Sequence, residues 1–177
     1  MIFFQEGVVL AADTRATGGS TVGDKNCDKI HYLAPNIYCC GAGTAADCDH
    51  VTEAMKRELE LHRLNTHSES RVKYATARLS WNAFRYGGHL GTHFIIGGVD
   101  CKGPTLIEVD NSGCQVPMPY ITMGSGCLAA MGILETQYRD GMTEEEAKNM
   151  VIAAIEAGIY HDLGSGSNVD VCIIKKG

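Results

Sequence analysis

Apolar residues fill positions 2–12 almost without a break, and the Glu6-Gly7 pair between them predicts a turn within a strand region. Residues 29–41 predict two short strands separated by Pro35-Asn36. The run Gly41-Ala42-Gly43-Thr44 then turns the chain into a helix, whose approximate stripe is Val51, Ala54, Met55, Leu59 and Leu61 among Glu, Lys and Arg. Ser70 is the expected cap of a second helix, with Val72, Ala75, Leu79 and Ala83 on one face and a stop at Gly87-Gly88. Strands are expected at 93–99 and 104–109, joined by a turn around Asp100–Gly103, and again at 119–123 before Gly124-Ser125-Gly126. Residues 127–139 read as helix. Thr143 with Glu146 is a capping box for another, with an apolar face of Ala147, Met150, Val151, Ala154 and Ile155. A Gly-Ser loop at 164–167 leads to a last strand at 169–174.

The order is strands, two helices, strands, two helices, strand. Paired helices between sheet segments do not fit alternating βα units, so a doubly wound parallel sheet is disfavoured. The pattern suits antiparallel sheets with helix pairs packed on their outer faces. No repeat or linker interrupts it, and 177 residues are enough for one domain with a full core.

Composition narrows the function classes. A net charge of −6 argues against a general nucleic-acid binder. The apolar runs are far shorter than a membrane-spanning helix requires. Met1–Phe4 lacks the basic start of a signal peptide and soon meets Glu6 and Asp13. The eight cysteines form no CxxC pair, and several lie in strand patterns, such as Cys39-Cys40 and Cys172. They read as reduced, small hydrophobes of an intracellular protein rather than a disulfide framework or zinc site.

Several polar constellations compete. His62 with His67, or His89 with His93, lack a companion carboxylate motif and read as loop or surface histidines, so no metal is implied. Gly124-Ser125-Gly126 does not complete a G-x-S-x-G elbow and reads as a tight turn in which Ser125 bonds locally. Gly164–Ser167 has no Lys and precedes a strand, which makes it a weak phosphate cradle. Asp13 ends one strand and Lys29 precedes another, so two adjacent strands of one sheet would bring them together. That pair is either a surface salt bridge, or a carboxylate holding a buried lysine that lowers the pKa of a neighbouring nucleophile or amine.

Together, Gly7–Thr17, Asp24–His31, Pro35–Asp47, Met123–Gly126 and Gly158–Asp170 resemble proteasome beta subunits over nearly the whole chain. The match is best to the trypsin-like type, the second of the seven eukaryotic beta types. The resemblance implies a single N-terminal-nucleophile hydrolase domain over residues 1–177, an α+β fold whose four layers run αββα around two antiparallel sheets. It implies a terminal Thr, exposed by propeptide removal, whose hydroxyl attacks the peptide carbonyl while its own amine handles the proton. Asp13 and Lys29 match the catalytic Asp and Lys. Ser125, Asp162 and Ser165 match the polar group supporting the terminal residue, and Gly43 matches the oxyanion donor. Gly41 matches a pocket position that stays small in this type, and Ala16, Cys27, His31 and Ala45 match other pocket-lining positions. Asp49 falls where an acid would meet a basic substrate side chain, although alone it equally reads as a solvated first-turn carboxylate.

The resemblance further implies alpha and beta partner subunits in heptameric rings, unfolded polypeptide substrates, ubiquitin-dependent degradation in cytoplasm and nucleus, and no cofactor. Its first strand begins about four residues ahead of Met1, with the Thr nucleophile among them, and its end extends past Lys175-Lys176-Gly177. The expectation is therefore a chain shortened at both ends and inactive by this route as it stands. A non-catalytic ring or assembly subunit of the same fold is the competing expectation.

Overall fold

The computed structural model describes residues 1–176, which form ten strands and four helices. Strands β1 (Ile2–Phe4), β2 (Gly7–Asp13) and β10 (Val169–Lys175) make an antiparallel sheet in the order β1-β2-β10. Strands β5 (Ile30–Ala34), β6 (Ile37–Gly43), β7 (Thr92–Asp100), β8 (Gly103–Val109) and β9 (Gln115–Pro117) make a second antiparallel sheet in chain order. A small hairpin, β3 (Ala16–Gly18) with β4 (Thr21–Asp24), stands apart from both.

Period-two alternation along β2 builds the layers. Val8 and Leu10 point into the space between the sheets, where they meet Cys40, Ile95, Val99, Leu106 and Ile174. Val9 and Ala11 point the other way, into a cluster with Ala130, Leu134, Ala147, Met150, Val151 and Ala154 of helices α3 (Cys127–Gln137) and α4 (Glu144–His161). On the far side, helices α1 (Ala45–Thr66) and α2 (Val72–Arg85) pack Cys48, Val51, Met55, Leu59, Val72, Ala75 and Leu79 against Leu33, Ile37, Cys39, Phe94 and Ile96. The result is the expected αββα sandwich. Burying each large aliphatic side chain stabilises it by about 1.5–3 kcal/mol. Gly97 permits the close approach of the sheets, because a Cβ there would lie 2.9 Å from both Leu10 Cδ2 and Val8 Cγ1.

Several expectations need correction. The buried face of α1 is Cys48, Val51, Thr52, Met55 and Leu59, while Ala54 and Leu61 are exposed. Ser70 does not cap α2. Arg71 occupies that position, and the Asp100 carboxylate accepts from the Val72 amide at 3.1 Å. The Ser70 carbonyl instead accepts from buried Asn36 Nδ2 at 2.8 Å, which also donates to Val99 O at 2.9 Å. Residues 119–123 form no strand, only a bridge from Tyr120 to Ile2. The hairpin β3–β4 and edge strand β9 fall in polar stretches read as loops, since three- or four-residue exposed strands carry no alternation to detect. All eight cysteines are free, but Cys101 and Cys114 are exposed rather than packed as hydrophobes. The Thr143–Glu146 capping box forms as expected.

Candidate active site

The two sheets and three loop regions enclose a cavity of about 490 Å³. Its walls include Ala11–Asp13 from β2, Cys27–Lys29 ahead of β5, Cys40–Gly43 from β6, the first turns of α1, and the loops around Ser125 and Ser165. Of the residues singled out from sequence, Asp13, Lys29, Gly43, Ser125 and Ser165 line it, as do Ala16, Cys27, His31, Gly41, Ala45 and Asp49. Asp162 sits directly behind, bonded to both serines.

Asp13 accepts three hydrogen bonds. Its Oδ1 accepts from Lys29 Nζ at 2.6 Å. Its Oδ2 accepts from the Gly166 amide at 3.0 Å and the Arg15 amide at 3.2 Å. Asp13 ends β2 of one sheet and Lys29 lies just ahead of β5 of the other, and β2 and β5 do not pair, which corrects the expectation of adjacent strands of one sheet. The ion pair therefore bridges the layers at the cavity mouth. Its side chains are 14% (Asp13) and 26% (Lys29) exposed, so Lys29 is partly rather than fully buried.

Ser125 bonds across 37 residues rather than locally: its Oγ donates to Asp162 Oδ2 at 2.5 Å, and Ser165 Oγ donates to the same oxygen at 2.7 Å. These two hydroxyls, with help from the Gly164 and Ser165 amides, hold the Asp162 carboxyl below its ordinary range despite some burial. An acid held this firmly ionised is a poor proton acceptor and a good anchor. Gly126 and Gly164 leave room for the cluster, because a Cβ on either would press on a serine Oγ at 3.1 or 2.8 Å.

At the other end, Gly43 has φ of +113°, and a Cβ would lie 2.1 Å from Gly91 O, so only glycine fits this turn. It delivers the chain to the N-terminus of α1, where the helix dipole and unpaired amides favour developing negative charge. Asp47 fixes that turn by accepting from the Gly91 amide at 3.0 Å. Beneath Gly41 the floor is Cys48, whose Sγ would be 3.2 Å from any added Cβ. The absent side chain therefore sets the depth of the cavity here.

Burial favours the thiol over the thiolate form of the lining cysteines. Burial raises the Cys48 thiol to about 11 and the Cys40 thiol to about 12. The Cys27 thiol is also raised, by burial first and then by Asp24, Asp49 and Asp28, against the lowering pull of Lys29. Of these charged groups Asp28, Asp49 and Lys29 line this side of the cavity. Among the described residues no hydroxyl or thiol of the cavity is hydrogen-bonded to Lys29 or to a histidine. The arrangement gathers an ion pair, a carboxylate anchored by two serines and a helix N-terminus around one cavity.

Sequence reasoning missed Thr14, Arg15, Asp28 and Cys48. Arg15 lines the cavity and ties the end of β2 to the loop after α4 by donating from Nη1 to Leu163 O at 3.1 Å. Its position beside Asp13 was the available signal, but a partner 148 residues away is invisible in sequence.

Comparison with known proteins agrees with this architecture. A family model described as proteasome subunit matches residues 2–174. Proteasome subunit beta type-7-B of Arabidopsis thaliana is 52% identical over 176 residues, covering 99% of this chain and 64% of that protein. Proteasome subunit beta type-7 of Dictyostelium discoideum is 51% identical, covering 98% and 65%. Proteasome subunit beta type-10 of Mus musculus is 48% identical, covering 99% and 64%. The chain thus spans slightly under two thirds of the length of these relatives. With a sandwich of two antiparallel sheets between helix pairs and a match over almost every residue, the chain belongs to the proteasome subunit family.

Proposed function

We propose that this chain forms the main part of a threonine-type endopeptidase subunit of the proteasome core particle, cleaving unfolded polypeptides after basic residues. One observation carries the reading. In the β1–β2 register Ile2 lies opposite Val9, Phe3 opposite Val8 and Phe4 opposite Gly7. Continued upstream in the same register, the third and fourth residues ahead of Met1 would fall opposite Asp13 and Thr14. A nucleophile carried there on an extension of β1 reaches the Asp13–Lys29 pair without any change in the fold.

The mechanism then follows from the residues in place. The threonine hydroxyl attacks the peptide carbonyl, and its proton passes to the threonine's own amine. The Lys29 ammonium, held by Asp13, favours the deprotonated nucleophile by its charge. The oxyanion of the tetrahedral intermediate meets the Gly43 amide at the positive end of α1. Asp162, Ser125 and Ser165 hold the terminal residue. The basic side chain of the substrate enters over Gly41 towards Asp49 and Asp28. Collapse of the intermediate breaks the peptide C–N bond, the threonine ammonium giving its proton to the departing amine, and water then hydrolyses the acyl ester and restores the hydroxyl. Partners in this reading are alpha and beta subunits in seven-membered rings, with substrates tagged by ubiquitin and a location in cytoplasm and nucleus.

The test is a core particle carrying the complete subunit, assayed on peptides with Arg or Phe before the scissile bond. Lys29→Ala is expected to abolish Arg cleavage and leave the other sites of the particle active. Asp49→Ala is expected to lower the Arg-to-Phe ratio. Normal Arg cleavage in Lys29→Ala sinks the mechanism, and an unchanged ratio removes Asp49 from specificity.

A further inference from the structure

We propose that Thr14 is a positioning residue, whose single hydroxyl sets the spacing between two facing walls of the cavity. The inference rests on the peptidase reading above. The Thr14 residue is 1% exposed. Its Oγ1 donates to Lys25 O at 2.9 Å and accepts from the Asn168 amide at 3.0 Å. The Thr14 carbonyl accepts from the Cys27 amide at 2.9 Å. A hydroxyl has one proton to give, and here both its donor and acceptor roles are used on main chain from opposite sides.

Each tie leads straight to a wall. Lys25 opens the segment that presents Cys27, Asp28 and Lys29 to the cavity. Asn168 closes the loop that presents Gly164 and Ser165. That loop needs holding. Ser167 sits at φ of +70°, a left-handed conformation that a serine adopts only under constraint. Its two neighbours are the anchors: the Gly166 amide on Asp13 and the Asn168 amide on Thr14. The adjacent residues Asp13 and Thr14 therefore grip the Ser167 turn from both ends. The same Thr14 hydroxyl fixes the wall that faces the substrate side chain.

A merely buried threonine would tolerate valine, which has the same shape. A positioning hydroxyl would not, because valine leaves Lys25 O and the Asn168 amide without partners. The experiment compares Thr14→Val with Thr14→Ser, which keeps the hydroxyl. In the 177-residue chain, amide exchange at Gly166 and Asn168 should accelerate about tenfold or more in Thr14→Val, with core amides Val9 and Ile95 unchanged. Thr14→Ser should stay within about threefold of the parent. In the core particle, Thr14→Val should lower kcat and raise KM for the Arg peptide, with kcat/KM down about tenfold or more, and Thr14→Ser should restore most of it. An Asn168 amide equally protected in Thr14→Val, or parent kinetics in that variant, overturns the inference. A parent particle that does not cleave after Arg defeats the peptidase reading instead, and the exchange measurement still decides whether Thr14 holds the two loops.

Discussion

The ion pair of Asp13 and Lys29 separates a working site from a surface ornament, and a double-mutant cycle measures the difference. Asp13→Asn keeps the shape but replaces one acceptor oxygen by an NH2 group. Two sets of donors converge on Asp13, namely Lys29 Nζ on Oδ1 and the Gly166 and Arg15 amides on Oδ2. Whichever way the amide turns, donor faces donor on one side. Leaving that group unsatisfied costs about 1–3 kcal/mol. Lys29→Met removes the cation and keeps most of the stem. The coupling between the two changes isolates the pair itself. Fully exposed pairs couple by about 0.2–1 kcal/mol, and hydrogen bonds to charged groups contribute about 1.5–3 kcal/mol. With side chains 14% and 26% exposed, this pair should fall between them, at about 1–2 kcal/mol. Urea unfolding of the 177-residue chain, its two single variants and the double variant gives the number. For a chain this long each kcal/mol moves Tm by about 2–4 °C, so thermal melts provide an independent check. Coupling below about 0.3 kcal/mol would mean a solvent-screened contact and refute the claim that the bridge is built into the junction of the sheets.

Other outcomes follow from the same coordinates. Gly97→Ala should destabilise the chain by about 1–3 kcal/mol in urea, because its Cβ would press on Val8 and Leu10 between the sheets. Asp100 titrates low: burial pushes it up, but the Lys102 and Val72 amides and the Arg71 side chain together outweigh that. A carboxyl with a depressed folded pKa contributes stability above its unfolded value, near 3.9, and loses it as pH falls through the lower folded value. Tm of the parent should therefore drop more steeply below about pH 4 than that of Asp100→Asn, and parallel curves would contradict this. On the proposed peptidase reading, Gly41→Leu in the core particle should abolish cleavage after Arg more than cleavage after small residues, read as the ratio of kcat/KM values, because Cys48 and Phe94 leave no room beneath an added side chain.

The layer order was legible because it depends on local signals. Paired amphipathic stretches, such as Val72, Ala75, Leu79 and Ala83, and continuous apolar strands announce helices outside and sheets inside. The capping box at Thr143 was equally plain, since both its partners lie within three residues. Short exposed strands such as Gln115–Pro117 were not, because they bury nothing and so impose no pattern. Ser70 failed as a cap for a tertiary reason: a carboxylate 28 residues beyond the helix start, Asp100, satisfies the first-turn amide instead.

For the site, sequence alone determined the residue types and the turns that can carry them: an acid at a strand end, a lysine ahead of a strand, glycines before a helix, and serines in Gly-rich turns. Only the tertiary structure decided what they do to one another. It set Asp13 at the end of one sheet against Lys29 just ahead of the other, and drew Ser125 to Asp162 across the chain. It also made Thr14, unremarked in the sequence, the link between two walls. Hydrophobic periodicity is a short-range code, written over one or two turns. A hydrogen bond between loops has no sequence period, so it exists only once both sheets have packed and fixed the loop ends within 3 Å of each other.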